Sequence, residues 1–370
     1  MKLTDIAGIR LQRQQIISPE FNKPEHLVAY MGAVQAQDYN MSKLAVGLRV
    51  PGATDVSIEA ALDKGLILRT HVLRPTWHYV HADDIYWMMA LTGPRIRTAF
   101  LSMDKILGLS ADIYTKSKQI FSKALEGGNN LTRDELAVLL QNANISTSDN
   151  RLSHILAEAE INSLICSGAK KDGQRTYALL PDRVPAKKAI PKDEALAMLA
   201  ERYFTSHGPA TLKDFIWWSG LTVGEARDGL ESILFALESE TIGEETYYFS
   251  PDVNVAPRQS SLVHLMPAYD EFLISYKDRT ASLQHVHNRK IVSINGIFRP
   301  IFLVDGQVEG LWKMTAGRDG IDIMVDSFKK LSTAIVSKAE RAAEAISKFY
   351  DKPVTTSFIS QSNYDRSARI

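Results

Sequence analysis

Cysteine is nearly absent from this 370-residue chain: Cys166 stands alone. A single cysteine excludes any internal disulfide, which suits a reducing compartment, so a cytoplasmic location is expected. Cys166 sits in the apolar run Leu164-Ile165-Cys166 and reads as a buried structural thiol, not a nucleophile. No apolar run approaches the roughly 20 residues needed to span a bilayer, so no membrane partner is expected. The N-terminal Met-Lys-Leu-Thr-Asp soon turns polar and does not read as a signal peptide. Net charge is also missing, since 43 Lys and Arg balance 43 Asp and Glu. That excludes a uniformly basic nucleic-acid surface. Neither a Gly-rich phosphate loop nor a Gly-x-Ser-x-Gly elbow occurs, and no cofactor is expected.

What remains is ordinary globular composition, 45% hydrophobic and 23% charged, enough for two or three domains with their own cores. The charge is unevenly placed. Residues 1–190 carry 23 Lys/Arg against 19 Asp/Glu, and residues 191–370 carry 20 against 24. Any DNA contact should therefore use a local basic surface in the first half.

The most informative triplet is Gln35-Ala36-Gln37. Two carboxamides two positions apart share a side only in extended backbone; on a helix they would diverge by about 200°. Pro24 and Glu25 suit a first helical turn, and Leu27, Met31 and Val34 fall on one face. The spacing predicts a helix over 24–34 that stops near Gln35 and presents both glutamines from its end.

Elsewhere, residues 56–69 read as a helix. Residues 71–80 read as a hairpin bent near Pro75, followed by a helix from Ala82. Thr132 and Glu135 form a capping-box signature. A helix around 150–164 follows, then short strands flank the basic turn Lys170-Lys171-Asp172-Gly173. The same order recurs at 193–250, with Thr211 and Asp214 as capping candidates and an acidic turn at Gly243-Glu244-Glu245. Helix–turn–helix followed by a hairpin, repeated, predicts tandem winged helices. Later, Val304-Asp305-Gly306-Gln307 signals a type I′ hairpin, residues 321–326 read as a strand, and Phe328, Leu331, Ile335, Ala339, Ala342, Ile346 and Phe349 mark one helical face. The expected fold is α+β: winged-helix regions at 1–110, 111–190 and 191–255, then a β-rich domain with a closing helix at 256–370.

Four blocks together resemble the bacterial winged-helix proteins typified by the AlkZ-type alkylpurine DNA glycosylases. They are Gln35-Ala36-Gln37, Arg69 to His78, Pro267 to Arg279 and Gly296 to Trp312, in the family's order. The resemblance implies tandem winged helices before a β-rich C-terminal domain. It also implies a catalytic Gln–apolar–Gln signature, matched by Gln35 and Gln37; another branch carries Gln–apolar–Asp. The Gln–apolar–Gln branch includes an enzyme that unhooks DNA interstrand crosslinks. Pro75 departs from the family, which more usually has Gly there, and bears on the hairpin carrying Arg74 and His78.

The implied activity is a DNA repair glycosylase acting, as a monomer, on double-stranded DNA with cationic alkylated purines. An N7-alkylated guanine is already cationic and leaves without strong acid catalysis. The protein must place a water and stabilise charge. A carboxamide oxygen can orient water and face an oxocarbenium ion, while its NH₂ donates to phosphate or sugar. Gln37 is assigned the water, and Gln35 the water or the neighbouring nucleotide. Arg69, Arg74, Thr76 and His78 are candidate DNA contacts; Tyr39 and Asn40 could line the lesion pocket or form a structural turn.

Other constellations carry less. His71, His78 and His81 with Asp83 resemble a ligand cluster, but the bend at Pro75 leaves their facing open, and no metal is expected. Asp270, Glu271 and Asp278 read as a packed motif with internal salt bridges. The competing reading is a non-catalytic winged-helix DNA-binding protein or regulator. Its recognition helix should be basic, and none stands out.

Overall fold

The computed structural model describes residues 2–251 and 262–360. The chain is a mixed α+β protein in which one element order appears three times. First come a helix at Pro24–Met31, strand β1 (Val34–Gln35), helices at Tyr39–Gly47 and Asp55–Asp63, then β2 (Ile67–His71) and β3 (Trp77–His81). The sheet order is β1-β3-β2. A long helix, Ile85–Ile106, leads to the second set: helix Ala111–Leu125, β4 (Leu131–Thr132), helices Arg133–Asn142 and Arg151–Ile161, β5 (Ile165–Ser167) and β6 (Thr176–Leu179). Its sheet order, β4-β6-β5, repeats the first. The third set has helices Lys192–Ser206, Leu212–Ser219 and Val223–Glu231, then β7 (Glu238–Ile242) and β8 (Glu245–Phe249). Its first-strand position holds a single bridge, Ala210 to Tyr248.

Local chemistry sets these elements. Thr132 and Glu135 close a reciprocal capping box, as do Thr211 with Asp214 and Thr222 with Glu225, satisfying orphan helix N–H groups. Asp172 (φ 51) and Gly173 (φ +75) form the left-handed pair at the β5–β6 turn, and Asp305 (φ 53) with Gly306 (φ +76) does the same in the C-terminal sheet. That sheet runs β13-β12-β11-β10-β9, with β9 (Val263–Met266), β10 (Ile301–Val304), β11 (Gln307–Ala316), β12 (Ile321–Ser327) and β13 (Val354–Ser360).

Three expectations are corrected. The helix expected over 56–69 ends at Asp63, because Gly65 (φ +72) reverses the chain and the β-forming Ile67-Leu68 begins a strand. The helix expected over 24–34 ends at Met31, where Gly32 (φ +77) takes a conformation that disfavours a side chain. Phe328 and Leu331 precede the last helix, which starts after the Ser332 cap and spans Thr333–Tyr350. Its buried line is Ala339, Ala343, Ile346 and Phe349. That helix crosses over to β13, which pairs parallel to β12.

The cores explain where the site sits. The C-terminal helix and sheet share one apolar cluster with the first helix set, joining Leu27, Met31 and Val46 to Phe302, Ile346 and Phe349. A second cluster joins the β2–β3 hairpin to the long helix and the third set through Leu68, Val72, Trp87, Tyr203 and Trp218. The Gln35-Ala36-Gln37 segment lies where these bodies meet.

Candidate active site

The triplet is extended, as its spacing requires. Gln35 pairs with His78 across the β1–β3 ladder, and Ala36 N donates to Trp77 O at 2.7 Å. Arg69 Nε donates to Ala36 O at 2.9 Å. The backbone is thus clamped from both sides. The two side chains part company. Gln35 is 4% exposed, and its Oε1 accepts from Arg74 Nη2 at 2.6 Å. Gln37 is exposed and lines a cleft of about 640 Å³. Only Gln37 of the pair opens onto that cleft.

The cleft lies between the first and second helix sets. Its first wall is Gln37, Tyr39, Asn40, Leu62, Arg69 and Trp77. The opposite wall comes from the β5–β6 hairpin and its neighbours, including Arg133, Lys170, Gln174, Arg175 and Tyr177. The hairpin is docked: Lys170 N donates to Asp63 Oδ1 at 2.8 Å, Lys170 Nζ reaches Glu59 at 2.6 Å, and Arg69 N donates to Ser167 Oγ at 2.9 Å. Tyr39 is the hub. Its hydroxyl donates to Glu59, and its ring is flanked by Lys43, Arg69, Lys170 and Arg175 at 5.1–5.9 Å. Glu59 pairs with both Lys43 and Lys170, and Asp55 also pairs with Lys43. Arg175 and Arg69 form no ion pair with a described carboxylate. Arg69 instead lies 4.4 Å from the Trp77 ring, and burial lowers its pKa. Four cations, Arg69, Arg133, Lys170 and Arg175, line the cleft against two acids, Asp134 and Glu160, and this excess of positive charge favours phosphate.

Behind Gln35 the protein is closed. Glu271, 1% exposed, accepts from Gln35 N at 2.5 Å and from Trp218 Nε1 at 3.2 Å, and Ser275 Oγ also donates to it. Burial opposes ionisation of this carboxyl, but His207, whose Nε2 lies 3.6 Å away, and the hydroxyl of Ser275 outweigh it and hold the pKa low. Burial, with the charge of Arg74 adding to it, pushes His78 down to about 3. The neutral ring points Nδ1 at Thr76 O, 3.0 Å away, so Nδ1 carries the proton and Nε2 is left as an acceptor. His78 Nε2, Thr70 Oγ1, Arg74 Nε, Thr76 Oγ1 and Trp77 Nε1 are buried without a hydrogen-bond partner among the described residues. Five such atoms in one hairpin are more than a settled core tolerates.

The expected residues thus divide. Gln37, Tyr39, Asn40 and Arg69 line the cleft, whereas Gln35, Arg74, Thr76 and His78 do not. His71 bonds Glu160, whereas His81 accepts from Asp83 N at 3.2 Å. Asp270 takes a two-pronged bond from Arg49, both arms 2.8 Å, and caps the helix at Glu271–Ile274. Asp278 accepts from Thr280. No ion pair joins two residues of this block among the described residues; Asp270 pairs instead with Arg49, 221 positions away in the chain. Cys166 is buried, and burial pushes its thiol up to about 12. Sequence reasoning treated Lys170 and Arg175 as fold elements. The basic turn was the available signal, but which wall it would face depends on the docking to Asp63 and Glu59.

The family described as DNA glycosylase AlkZ-like matches residues 28–349. The interstrand DNA cross-link repair glycosylase of Streptomyces sahachiroi is 21% identical over 363 residues, covering 92% of this chain and 94% of that protein. The solved structure of Streptomyces sahachiroi DNA glycosylase AlkZ superposes with a TM-score of 0.79 at 19% identity, over 97% of this chain and all of that one, a likeness of fold. The chain belongs to the AlkZ-like DNA glycosylase family.

Proposed function

We propose that the chain hydrolyses the N-glycosidic bond of cationic, N7-alkylguanine-type purines in double-stranded DNA, crosslinked guanines included, and acts as a monomer. The observation that carries this is a side chain: Gln37, on a backbone clamped from both sides, opens into an electropositive cleft that one chain completes. Three sets of helix–strand–helix–helix–strand–strand are read as winged helices, ending near residues 110, 190 and 255. The third is the least regular, its first strand reduced to one bridge.

In this reading a cationic base needs no strong acid to leave. The Gln37 carbonyl oxygen orients water toward the sugar and faces the developing oxocarbenium ion. Arg69, Arg175 and Lys170 hold phosphates beside the lesion. Tyr39, Asn40 and Trp77 border the displaced base. Gln35 has a supporting part: its oxygen is committed to Arg74, and its backbone fixes the segment that bears Gln37. A carboxamide has no useful pKa for proton uptake, so a site that works through Gln37 should spare normal purines.

The test is duplex DNA carrying 7-methylguanine, with free base measured by chromatography. Wild type should release 7-methylguanine, and Gln37→Ala should lose about 100-fold in single-turnover rate. Wild type that binds the duplex and releases no base would overturn the proposal.

A further inference from the structure

A second ring in the molecule is crowded with cations, on the Gln35 side of the triplet. Trp217 lies half-buried on the helix Leu212–Ser219, its indole N–H donating to Ile274 O at 2.7 Å. Three cations face this ring: Lys277 at 5.0 Å, Arg279 at 5.5 Å and Arg74 at 5.7 Å. Arg74 ties the cluster to the motif, since it donates to Gln35.

The charge balance here is unlike that around Tyr39. There, Glu59 bonds two of the four cations. None of the three around Trp217 forms an ion pair with a described carboxylate. The nearby acids are committed elsewhere. Asp214 accepts from the backbone N–H of Lys277 and Asp278 at 2.8 and 3.1 Å and lies 3.8 Å from Arg10. Asp278 accepts from Thr280. Glu271 is buried and bonds Gln35, Trp218 and Ser275. Arg279 donates Nε to Leu273 O at 3.0 Å, a neutral acceptor. Burial, with the charge of Arg74 adding to it, pushes Arg279 down to about 10 despite attraction from Asp214 and Asp278. Arg74 also keeps a buried Nε without a partner among the described residues. Like charges gathered at a half-buried ring destabilise the free protein unless an anion offsets them.

We infer that Trp217, Lys277, Arg279 and Arg74 form a phosphodiester-binding subsite, which takes the DNA backbone outside the cleft, beside the Gln35 end of the motif. The indole forms its apolar base, and the guanidinium and ammonium groups supply the donors. A duplex laid across the motif meets cations on both flanks: Arg69, Lys170 and Arg175 before it, and Arg74, Lys277 and Arg279 after it. The inference takes DNA as the substrate from the family and does not depend on the chemistry assigned to Gln37.

The test is binding of the full chain to an undamaged duplex at several salt concentrations. Each phosphate contact contributes about 0.9 to the slope of log affinity against log salt. Lys277 is exposed, and its ammonium has no hydrogen bond among the described residues, so Lys277→Ala should fold. It should lower the slope by about 0.9, and Lys277→Arg should restore it. Inorganic phosphate should raise the melting temperature of wild type more than that of Lys277→Ala. Lys348→Ala, on an exposed position of the last helix, should change neither reading. An unchanged slope in Lys277→Ala and in Arg279→Gln would overturn the subsite. Should wild type release no base while Lys277→Ala still lowers the slope, the glycosylase reading fails and the subsite stands.

Discussion

Gln35 and Gln37 belong to one triplet, yet the regions around them obey different rules. Behind Gln35 lies a closed wall of Glu271, His78, His207 and Trp218, each at most 1% exposed. Before Gln37 lies an open cleft lined by Arg69, Lys170 and Arg175. The wall holds ionised and neutral groups away from water, where a lost partner is costly. In the cleft Arg175 is exposed to solvent, where a lost partner costs little, while Arg69 stays buried against Trp77. The difference teaches that stability and chemistry are divided between the two faces of a three-residue segment. Mutations should sort accordingly.

The largest expected effect is on the wall. Glu271→Ala strands the Gln35 N–H and the Trp218 indole N–H, and should lower unfolding free energy by about 3–5 kcal/mol in denaturant titration. A loss under about 1 kcal/mol would mean that the wall is wetter than it looks.

The hold of Arg74 on Gln35 crosses from wall to motif. Arg74→Met keeps bulk and removes the 2.6 Å bond to Gln35. It should slow base release about tenfold without lowering the melting temperature, because it also removes a poorly offset buried cation. Equal losses in rate and stability would erase the distinction between the two faces.

The wall should also be acid-sensitive. His78 is pushed down to about 3 when folded and returns to about 6.5 when unfolded. Between those values the unfolded chain binds the proton and the folded chain does not. The contribution is therefore complete above pH 6.5 and is lost as pH falls toward 3. His207, lowered by burial, and His264, lowered by burial to about 4, act in the same sense. The melting temperature should fall between pH 7 and pH 5, and His78→Gln should flatten that fall.

The smallest effect belongs to the cleft. Arg175→Ala should weaken DNA binding nearly uniformly across sequences and reduce the salt slope by about 0.9, with no change in stability. Calorimetry and binding at three salt concentrations would read both.

How far the sequence foretold this follows the same division. Local signals were reliable where a few residues decide the outcome. The Thr132 and Thr211 caps, the Asp305-Gly306 turn and the extended Gln35-Ala36-Gln37 backbone all came out as their residue types require. The helix over 56–69 was overextended because Ile67 and Leu68 suit either element, and only Gly65 separates them. The parallel β13 strand was not legible, since its pairing with β12 reaches across the last helix. The parting of the two glutamines was equally hidden. Spacing placed both side chains on one side of a strand, but Arg74, 39 residues away, holds the Gln35 carboxamide inward, while Glu271, 236 residues away, holds its backbone N–H.

The central claim is that Gln37, alone of the pair, faces the reaction. The direct measurement is the single-turnover rate of 7-methylguanine release by wild type, Gln35→Ala and Gln37→Ala at saturating enzyme, with melting temperatures taken in parallel. The account predicts a loss of about 100-fold for Gln37→Ala at unchanged stability, and a smaller loss for Gln35→Ala accompanied by a lower melting temperature. Near-wild-type release by Gln37→Ala would contradict it.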